Sequence, residues 1–166
     1  MSEWLTFTAD EFCTSVRDGT HDSPKFQDEG FPLITSKAIK SGQIIFEGAG
    51  LVSEDDFHSI NQRSKVDQWD VLFTMIGTLG EVYLERNTEI NYAIKNLGLF
   101  KCGDELKAKW LYYWLSSPIN KANIFQLRRG ASQQYLPLGT LRSLEVKFPS
   151  VREYASQVVS VIEKYD

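Results

Sequence analysis

The sequence contains few residues that could hold a metal ion or form a disulfide bond. Two cysteines and two histidines occur among 166 residues, and none has a partner at the spacing of a zinc site. No structural metal and no disulfide framework are therefore expected. A chain of this length can build its core without either, and 42% hydrophobic and 24% charged residues are values typical of a folded domain.

Long hydrophobic segments are also missing. No stretch approaches the roughly 20 apolar residues of a transmembrane helix, and the N-terminal Met-Ser-Glu-Trp lacks the pattern of a signal peptide. We therefore expect a cytoplasmic protein with no membrane partner. The chain has neither the Lys-Ser/Thr ending of a phosphate-binding P-loop nor a Gly-x-Ser-x-Gly nucleophile motif, so neither enzyme class has support.

The net charge of −4 is distributed unevenly. Residues 1–99 contain 8 Lys and Arg against 16 Asp and Glu, whereas residues 100–152 contain 9 against 3. The acidic total argues against indiscriminate binding of nucleic acid. The basic region nevertheless marks a place where an electrostatic contact with nucleic acid could be made.

Apolar periodicity and capping residues predict an α+β fold, because strands and helices are mixed without a βαβ rhythm. We expect strands at 31–35, 43–46, 70–76, 81–85, 93–101 and 144–148. We expect helices at 53–61, 104–116 and 117–127. The segment Gly77–Gly80 is expected to be a hairpin turn between the third and fourth of these strands.

The last residues form a helix with the spacing of a coiled-coil seam. Val151, Val158 and Tyr165 are seven residues apart, and so are Tyr154 and Val161. So short a helix either packs on its own domain or is the stub of a longer coiled coil with another chain. We therefore divide the chain into a domain at 1–150 and a C-terminal helix at 151–166.

One segment gathers side chains that suit the reading of nucleic acid. It contains Arg128, Arg129, Ser132, Gln133, Gln134 and Tyr135 around a small Gly-Ala joint. Arginine can bridge two acceptors on guanine, glutamine can bond the edge of adenine, and serine and tyrosine can reach bases or phosphates. None of these groups is a nucleophile or general base without an activating partner. The segment is therefore predicted to recognise rather than to react.

A second polar segment reads Arg-Asp-Gly-Thr-His-Asp-Ser-Pro-Lys. Asp18, His21 and Asp22 could suggest a hydrolytic triad, but residues this close in sequence rarely face one another correctly. A loop held by its own hydrogen bonds is the expected structure. The side chains in it that suit phosphate or base contacts are Arg17, Thr20, His21 and Lys25.

The best argument for an enzyme is the pair Glu145 and Lys147 on a predicted strand. A Glu-x-Lys strand is typical of metal-dependent nucleases, in which the carboxylate holds Mg²⁺ and the lysine assists the attacking water. That chemistry needs a second acidic ligand, and the candidates are Asp70 and Asp104. The motif also fits any alternating strand, so an endonuclease remains the alternative and no catalytic residue is assigned.

Several segments, in this order, resemble the target recognition domain of the specificity subunit of type I restriction-modification systems. They are Arg17–Lys25, Gly30–Ile44, Asn61–Val66, Asp70–Gly80 and Gly130–Leu138. The resemblance spans nearly the whole chain. Subunits of that family usually carry two such domains joined by long helices, so this chain resembles a single-domain, half-subunit form.

The resemblance implies a non-catalytic domain with twisted, mainly antiparallel sheets flanked by helices. It would bind double-stranded DNA without a cofactor and position a methyltransferase (modification) subunit and a restriction subunit. A second copy or another half-subunit could pair through the C-terminal helix. A further alternative is a protein-interaction decoy that occupies the modification subunit without DNA.

By the same resemblance, further residues would face DNA: Ser36, Lys37, Lys40, Arg63, Lys65, Thr74 and Thr78. Lysines and arginines, among them Lys37, Lys40, Arg63 and Lys65, would contact phosphates. Gln133, Gln134 and Arg129 would read base edges.

Overall fold

The computed structural model describes residues 3–166, which form short strands and helices in mixed order. The strands are β1 (Trp4–Thr8), β2 (Ser15–Asp18), β3 (Phe31–Ile34), β4 (Ile39–Lys40), β5 (Gln43–Ile44), β6 (Gly50–Val52), β7 (Asp70–Thr74), β8 (Val82–Leu84), β9 (Ala93–Ile94), β10 (Leu97–Lys101) and β11 (Glu145–Pro149). The helices are α1 (Ala9–Phe12), α2 (Glu54–Ser64), α3 (Glu105–Ser116), α4 (Pro118–Gln126), α5 (Leu138–Arg142) and α6 (Arg152–Tyr165). Within residues 3–166, no helix is both long and apolar enough to cross a membrane.

The strands form four sheets, and the predicted α+β class with mainly antiparallel pairing is confirmed. The largest sheet has the order β2-β10-β7-β8, and a second has the order β6-β3-β9. Two-stranded sheets join β1 with β11 and β4 with β5. Every pair of named strands is antiparallel except β3 with β9.

The two larger sheets stack face to face, with a helical layer outside each. Alternation along β3 demonstrates this, because Ile34 packs with Leu72 and Leu99 of the four-stranded sheet. Its neighbour Leu33 points the other way and packs with Phe57 of α2. On the far side of the four-stranded sheet, β7 packs against α3. All five residues of β7 are buried, so this strand is central to the core.

Local capping explains where the three longer predicted helices begin. The side chains of Ser53, Asp104 and Ser117 each accept a hydrogen bond from a backbone N–H in the first turn of the helix that follows. Pro118 occupies the first turn of α4, where its missing N–H costs nothing. The three helices are confirmed at their predicted starts.

The single strand predicted over Ala93–Lys101 is wrong, because the chain breaks at Asn96. The segment forms β9 in the three-stranded sheet and β10 in the four-stranded sheet. Asn96 has a φ of 54°, a left-handed conformation that asparagine tolerates better than most residues and that ends an extended run. This kink carries the chain from one sheet to the next.

Helix α6 packs on the domain with one face and leaves the other exposed. Ala155 and Val159 are buried against the core, and α6 contacts both α3 and β11. Ion pairs border this contact, with Lys109 Nζ 2.9 Å from Glu163 and Arg152 Nη2 2.9 Å from Asp104. The exposed fractions of the coiled-coil seam are 45% for Val151, 40% for Tyr154, 59% for Val161 and 80% for Tyr165, while Val158 is half-buried.

Candidate nucleic-acid interface

The polar segment predicted to recognise nucleic acid forms a closed loop, called here the polar loop (Arg128–Tyr135). Arg129 and Tyr135 exchange two backbone hydrogen bonds of 2.8 and 2.9 Å, which close the loop at its base. Gly130 has a φ of 91°, and a Cβ atom there would lie 2.2 Å from the carbonyl oxygen of Gln133. Glycine is therefore required by both conformation and space. Every residue of the polar loop is exposed.

The polar loop lies against the turn between β7 and β8. The Leu136 amide donates to Met75 O at 2.8 Å, and the Gly77 amide donates to Gln134 O at 3.3 Å. Gly77 has a φ of 76°, and a Cβ there would lie 3.7 Å from the hydroxyl oxygen of Ser36. Three segments that are distant in sequence therefore meet at this turn.

Beside the turn, an open cleft of about 580 Å³ is lined by basic and hydroxyl side chains. Its lining residues are Ser36, Lys37, Ile39, Lys40, Ser41, Thr78 and Glu81. The Glu81 carboxylate accepts a hydrogen bond of 2.9 Å from the Ser41 amide. Lys37 and Lys40 are exposed, and among the described residues neither forms an ion pair, so both can contact an anion.

Three neighbouring segments place the second polar segment, Arg17–Lys25, at the same edge of the fold as the cleft. The Lys95 amide donates to Ile34 O at 2.9 Å, and the Thr20 amide donates to Ile94 O at 3.1 Å. Thr20 and Lys95 pair in parallel, as β3 and β9 do. Because the paired segments run parallel, the residues that follow them, Ser36, Lys95 and His21, lie at the same end of these segments.

The buried carboxylate of Asp18 holds the side chains around this second polar segment in place. Asp18 Oδ2 lies 2.8 Å from His21 Nε2, and the other ring nitrogen of His21 lies 2.7 Å from Asn96 Oδ1. The guanidinium of Arg63 donates from Nη2 to Asp18 Oδ1. Arg17 Nη1 donates to the carbonyl oxygen of Arg63 at 3.0 Å. We call Arg17, Asp18, His21, Arg63 and Asn96 the Asp18 cluster.

The Asp18 cluster fits the expected hydrogen-bonded loop better than a hydrolytic triad. Asp18 and His21 do meet, but the nearby Ser23 hydroxyl accepts a 2.6 Å hydrogen bond from Lys95 Nζ. The Thr20 hydroxyl accepts a 3.1 Å hydrogen bond from the Asp22 amide, a local turn bond. Lys95 is a basic residue at this edge that was not predicted from the sequence. Lys25 lies exposed on the Arg17–Lys25 segment, as expected.

Two predicted contact residues are placed away from the exposed edge. Thr74 has no exposed surface, and its Oγ1 accepts a 2.8 Å hydrogen bond from the Glu81 amide, so it holds the β7–β8 hairpin instead. Lys65 lies near the start of β7, 3.0 Å from Asp67. Burial raises the pKa of Asp67, but hydrogen bonds from Lys101 and Lys65 outweigh it and lower that pKa below its ordinary value. Thr74 is therefore inaccessible, and the charge of Lys65 is partly compensated.

The acidic residues that a nuclease site at Glu145 would need are engaged elsewhere. Asp104 caps α3 and pairs with Arg152, while Asp70 lies 2.5 Å from Lys101 Nζ. Glu145 and Lys147 share the exposed face of β11. Among residues 3–166, no group of three His, Cys, Asp or Glu side chains is arranged to hold a metal ion.

Comparison with known proteins shows which proteins this chain is similar to. The family model for the type I restriction modification DNA specificity domain matches residues 1–166. The specificity subunit of the type I restriction enzyme EcoBI from Escherichia coli is 27% identical over 128 residues. That match covers 75% of this chain and 26% of the relative, so the chain spans about a quarter of the relative's length.

Solved structures share the fold. The S subunit of a type I restriction-modification system from M. genitalium superposes with a TM-score of 0.67 and 18% identity, over 99% of this chain and 39% of that one. The HsdS subunit from Thermoanaerobacter tengcongensis gives a TM-score of 0.67 and 14% identity, over 97% and 37%. With the family match over its whole length, the chain belongs to the family of type I restriction modification DNA specificity domains.

Proposed function

We propose that the chain reads one part of a split target sequence in double-stranded DNA, without catalysis of its own and without a cofactor. The observation that carries this proposal is the meeting of the polar loop, the Gly77–Thr78 turn and the Ser36–Lys40 segment at one exposed edge. Lysines, amides and guanidiniums together on one surface supply both phosphate and base-edge contacts.

This surface would make two kinds of contact with DNA, to phosphates and to base edges. Lys37 and Lys40 line the open cleft as flexible point charges, which suits phosphates and gives affinity without sequence preference. Gln133, Gln134 and Arg129 lie on the polar loop, whose closed base limits its movement. Amides and guanidiniums carried on this loop can form the bidentate contacts that distinguish one base pair from another.

Family membership supports the partners proposed here. The domain would place a modification subunit and a restriction subunit on DNA, and the exposed seam of α6 would pair with a second copy of the chain or another half-subunit. Val151, Tyr154, Val161 and Tyr165 support this pairing because α6 keeps them exposed while Ala155 and Val159 anchor it.

DNA reading is tested by selecting binding sites from random duplexes with the purified chain, alone and together with a type I modification subunit. We expect a short consensus and an affinity that falls as salt rises. Lys37→Ala should weaken all sequences alike and reduce the slope of log affinity against log salt by about 0.9, the value for one phosphate contact.

Lys164→Ala is the matched control, since it removes an exposed lysine from α6 and should leave DNA binding unchanged. Recovery of no consensus in either form of the experiment would contradict the proposed function. Binding to the modification subunit without any DNA binding would support the decoy instead.

Pairing through α6 is tested by analytical ultracentrifugation with the modification subunit present. We expect two copies of the chain in the complex, and we expect Val161→Asp to separate them because it places a charge in the seam. Ser160→Asp, at an exposed position outside the seam, is the control. A complex with one copy of the unaltered chain would contradict this part of the proposal.

A further inference from the structure

Arg63 is held differently from the lysines of the DNA-facing edge. Its guanidinium donates to Asp18, and its carbonyl oxygen accepts a 3.0 Å hydrogen bond from Arg17. The side chain of Asp18 is only 6% exposed, whereas that of Arg63 is 61% exposed. A buried carboxylate therefore holds Nη2 of an arginine whose side chain is otherwise largely exposed.

The same carboxylate fixes His21. One oxygen of Asp18 bonds Arg63 and the other lies 2.8 Å from His21 Nε2, while Asn96 holds the opposite ring nitrogen at 2.7 Å. The side chain of His21 is 55% exposed. Asp18 thus sets the direction of two exposed groups on neighbouring segments of the edge.

Charge compensation changes what Arg63 can contribute to DNA binding. The negative charge of Asp18 offsets the positive charge of Arg63, so the pair adds little to the salt-dependent attraction of phosphates. A phosphate accepts a guanidinium from several directions, whereas a bidentate contact to a base edge requires one orientation. The fixed orientation of Arg63 therefore suits a base edge better than the phosphate contact expected from the sequence.

We infer that Arg63 contacts a base edge presenting two acceptors, the major-groove pattern of guanine, and that Asp18 is its positioning residue. This inference rests on the proposed function. Its distinguishing feature is that a buried acidic residue beneath a DNA-binding surface supports recognition.

The test uses site selection and salt titration of the chain with a modification subunit. The variants are Arg63→Lys, Arg63→Ala, Asp18→Asn and the double variant of Arg63→Lys with Asp18→Asn. Arg63→Lys keeps the charge but loses the planar fork. We expect discrimination at one base pair to fall about 5- to 150-fold, with the salt slope and the preference at other pairs unchanged.

Asp18→Asn separates positioning from simple electrostatics. Removal of a negative charge alone would strengthen DNA binding at every sequence, whereas loss of positioning relaxes preference at the base pair that Arg63→Lys affects. We expect that same base pair to be affected, and no further loss of discrimination when Asp18→Asn is added to Arg63→Lys. Thermal unfolding of each variant checks that the fold is retained. If Asp18→Asn unfolds, Arg63→Lys, at an exposed position, still tests the role of Arg63.

The outcomes distinguish this inference from the proposed function. A wild-type chain that selects no consensus overturns both. A wild-type consensus that Arg63→Lys leaves unchanged overturns only the role of Arg63 as a base reader. If Arg63→Ala loses affinity equally for all sequences and has a shallower salt slope, Arg63 contacts a phosphate. That result also overturns the inference.

Discussion

The carbonyl oxygen of Gln134 accepts a hydrogen bond from the Gly77 amide at 3.3 Å, which joins the polar loop to the β7–β8 turn. The β7–β8 turn directly follows β7, all of whose residues are buried. The polar loop is therefore joined through the turn to a fully buried strand. This connection holds the backbone that carries its exposed amides.

Replacement of Gln133 or Gln134 by alanine should relax sequence preference by roughly 1–3 kcal/mol at one base pair, because a bidentate base contact is lost. Site selection with the variant measures this directly. Gln157→Ala, an exposed glutamine on α6, should leave the consensus as it is. An unchanged consensus for both polar-loop variants would exclude these two amides as base readers.

Gly130→Ala should open the polar loop. The new Cβ would stand 2.2 Å from Gln133 O, at a φ of 91° that alanine rarely adopts, at a local cost of about 1–3 kcal/mol. We expect loss of consensus and a fall of a few degrees in the thermal unfolding midpoint, while the rest of the fold is retained because the loop is exposed. Hydrogen exchange of the Arg129 and Tyr135 amides reports the opening.

Gly139→Ala is the matched control for that variant. It lies in α5, where a Cβ would meet nothing within 4 Å. Alanine is favoured over glycine in a helix by about 1 kcal/mol, so the unfolding midpoint should stay the same or rise. DNA recognition should be unaffected.

Glu85→Ala should destabilise the domain by about 2–3 kcal/mol. The carboxylate is 1% exposed and accepts hydrogen bonds from the hydroxyls of Tyr92 at 2.7 Å and Tyr83 at 3.2 Å. It also accepts from the backbone and side-chain nitrogens of Asn87 at 2.8 and 2.9 Å. Urea unfolding measures the loss, and the exposed Glu89→Ala should change stability by less than about 0.5 kcal/mol.

Stability should fall above pH 10, and Tyr83 should contribute to the fall. Burial, with the adjacent Glu85 carboxylate, raises the pKa of Tyr83 to about 12. Between pH 10 and 12 the unfolded chain releases this proton while the folded chain retains it, so stability decreases as pH rises. Tyr83→Phe should show a shallower decrease in urea unfolding at pH 9, 10 and 11. The same variant at pH 8 shows the separate cost of losing the hydrogen bond to Glu85.

The sequence predicted the elements whose signals are local. Ser53, Asp104 and Ser117 mark helix starts through bonds to residues three positions away, so they can be recognised without the fold. The β7–β8 hairpin was predictable for the same reason, since its turn and both strands are contiguous. The polar loop and the Arg17–Lys25 segment were also evident from composition, and the Ser36–Lys40 segment from the family resemblance, but their meeting at one edge was not.

The remainder depends on distant partners. β1 is defined by β11, some 140 residues later, and the break at Asn96 exists because its two sides pair with different sheets. Burial of Thr74 could not be read from its polar side chain. Nor could the pairing of Arg63 with Asp18, because these residues are 45 positions apart and meet only after α2 packs beside β2.

Pairing of β1 with β11 has a consequence for how such domains can change. Trp4 lies opposite Pro149, and the Ser150 amide donates to Glu3 O at 2.8 Å, so residues 3–150 begin and end side by side. Helix α6 starts directly after this junction. Replacement of the whole segment by another with adjacent ends would leave α6 and its exposed seam in register. Under the proposed function, one such exchange would bring a new DNA target and keep the proposed pairing surface.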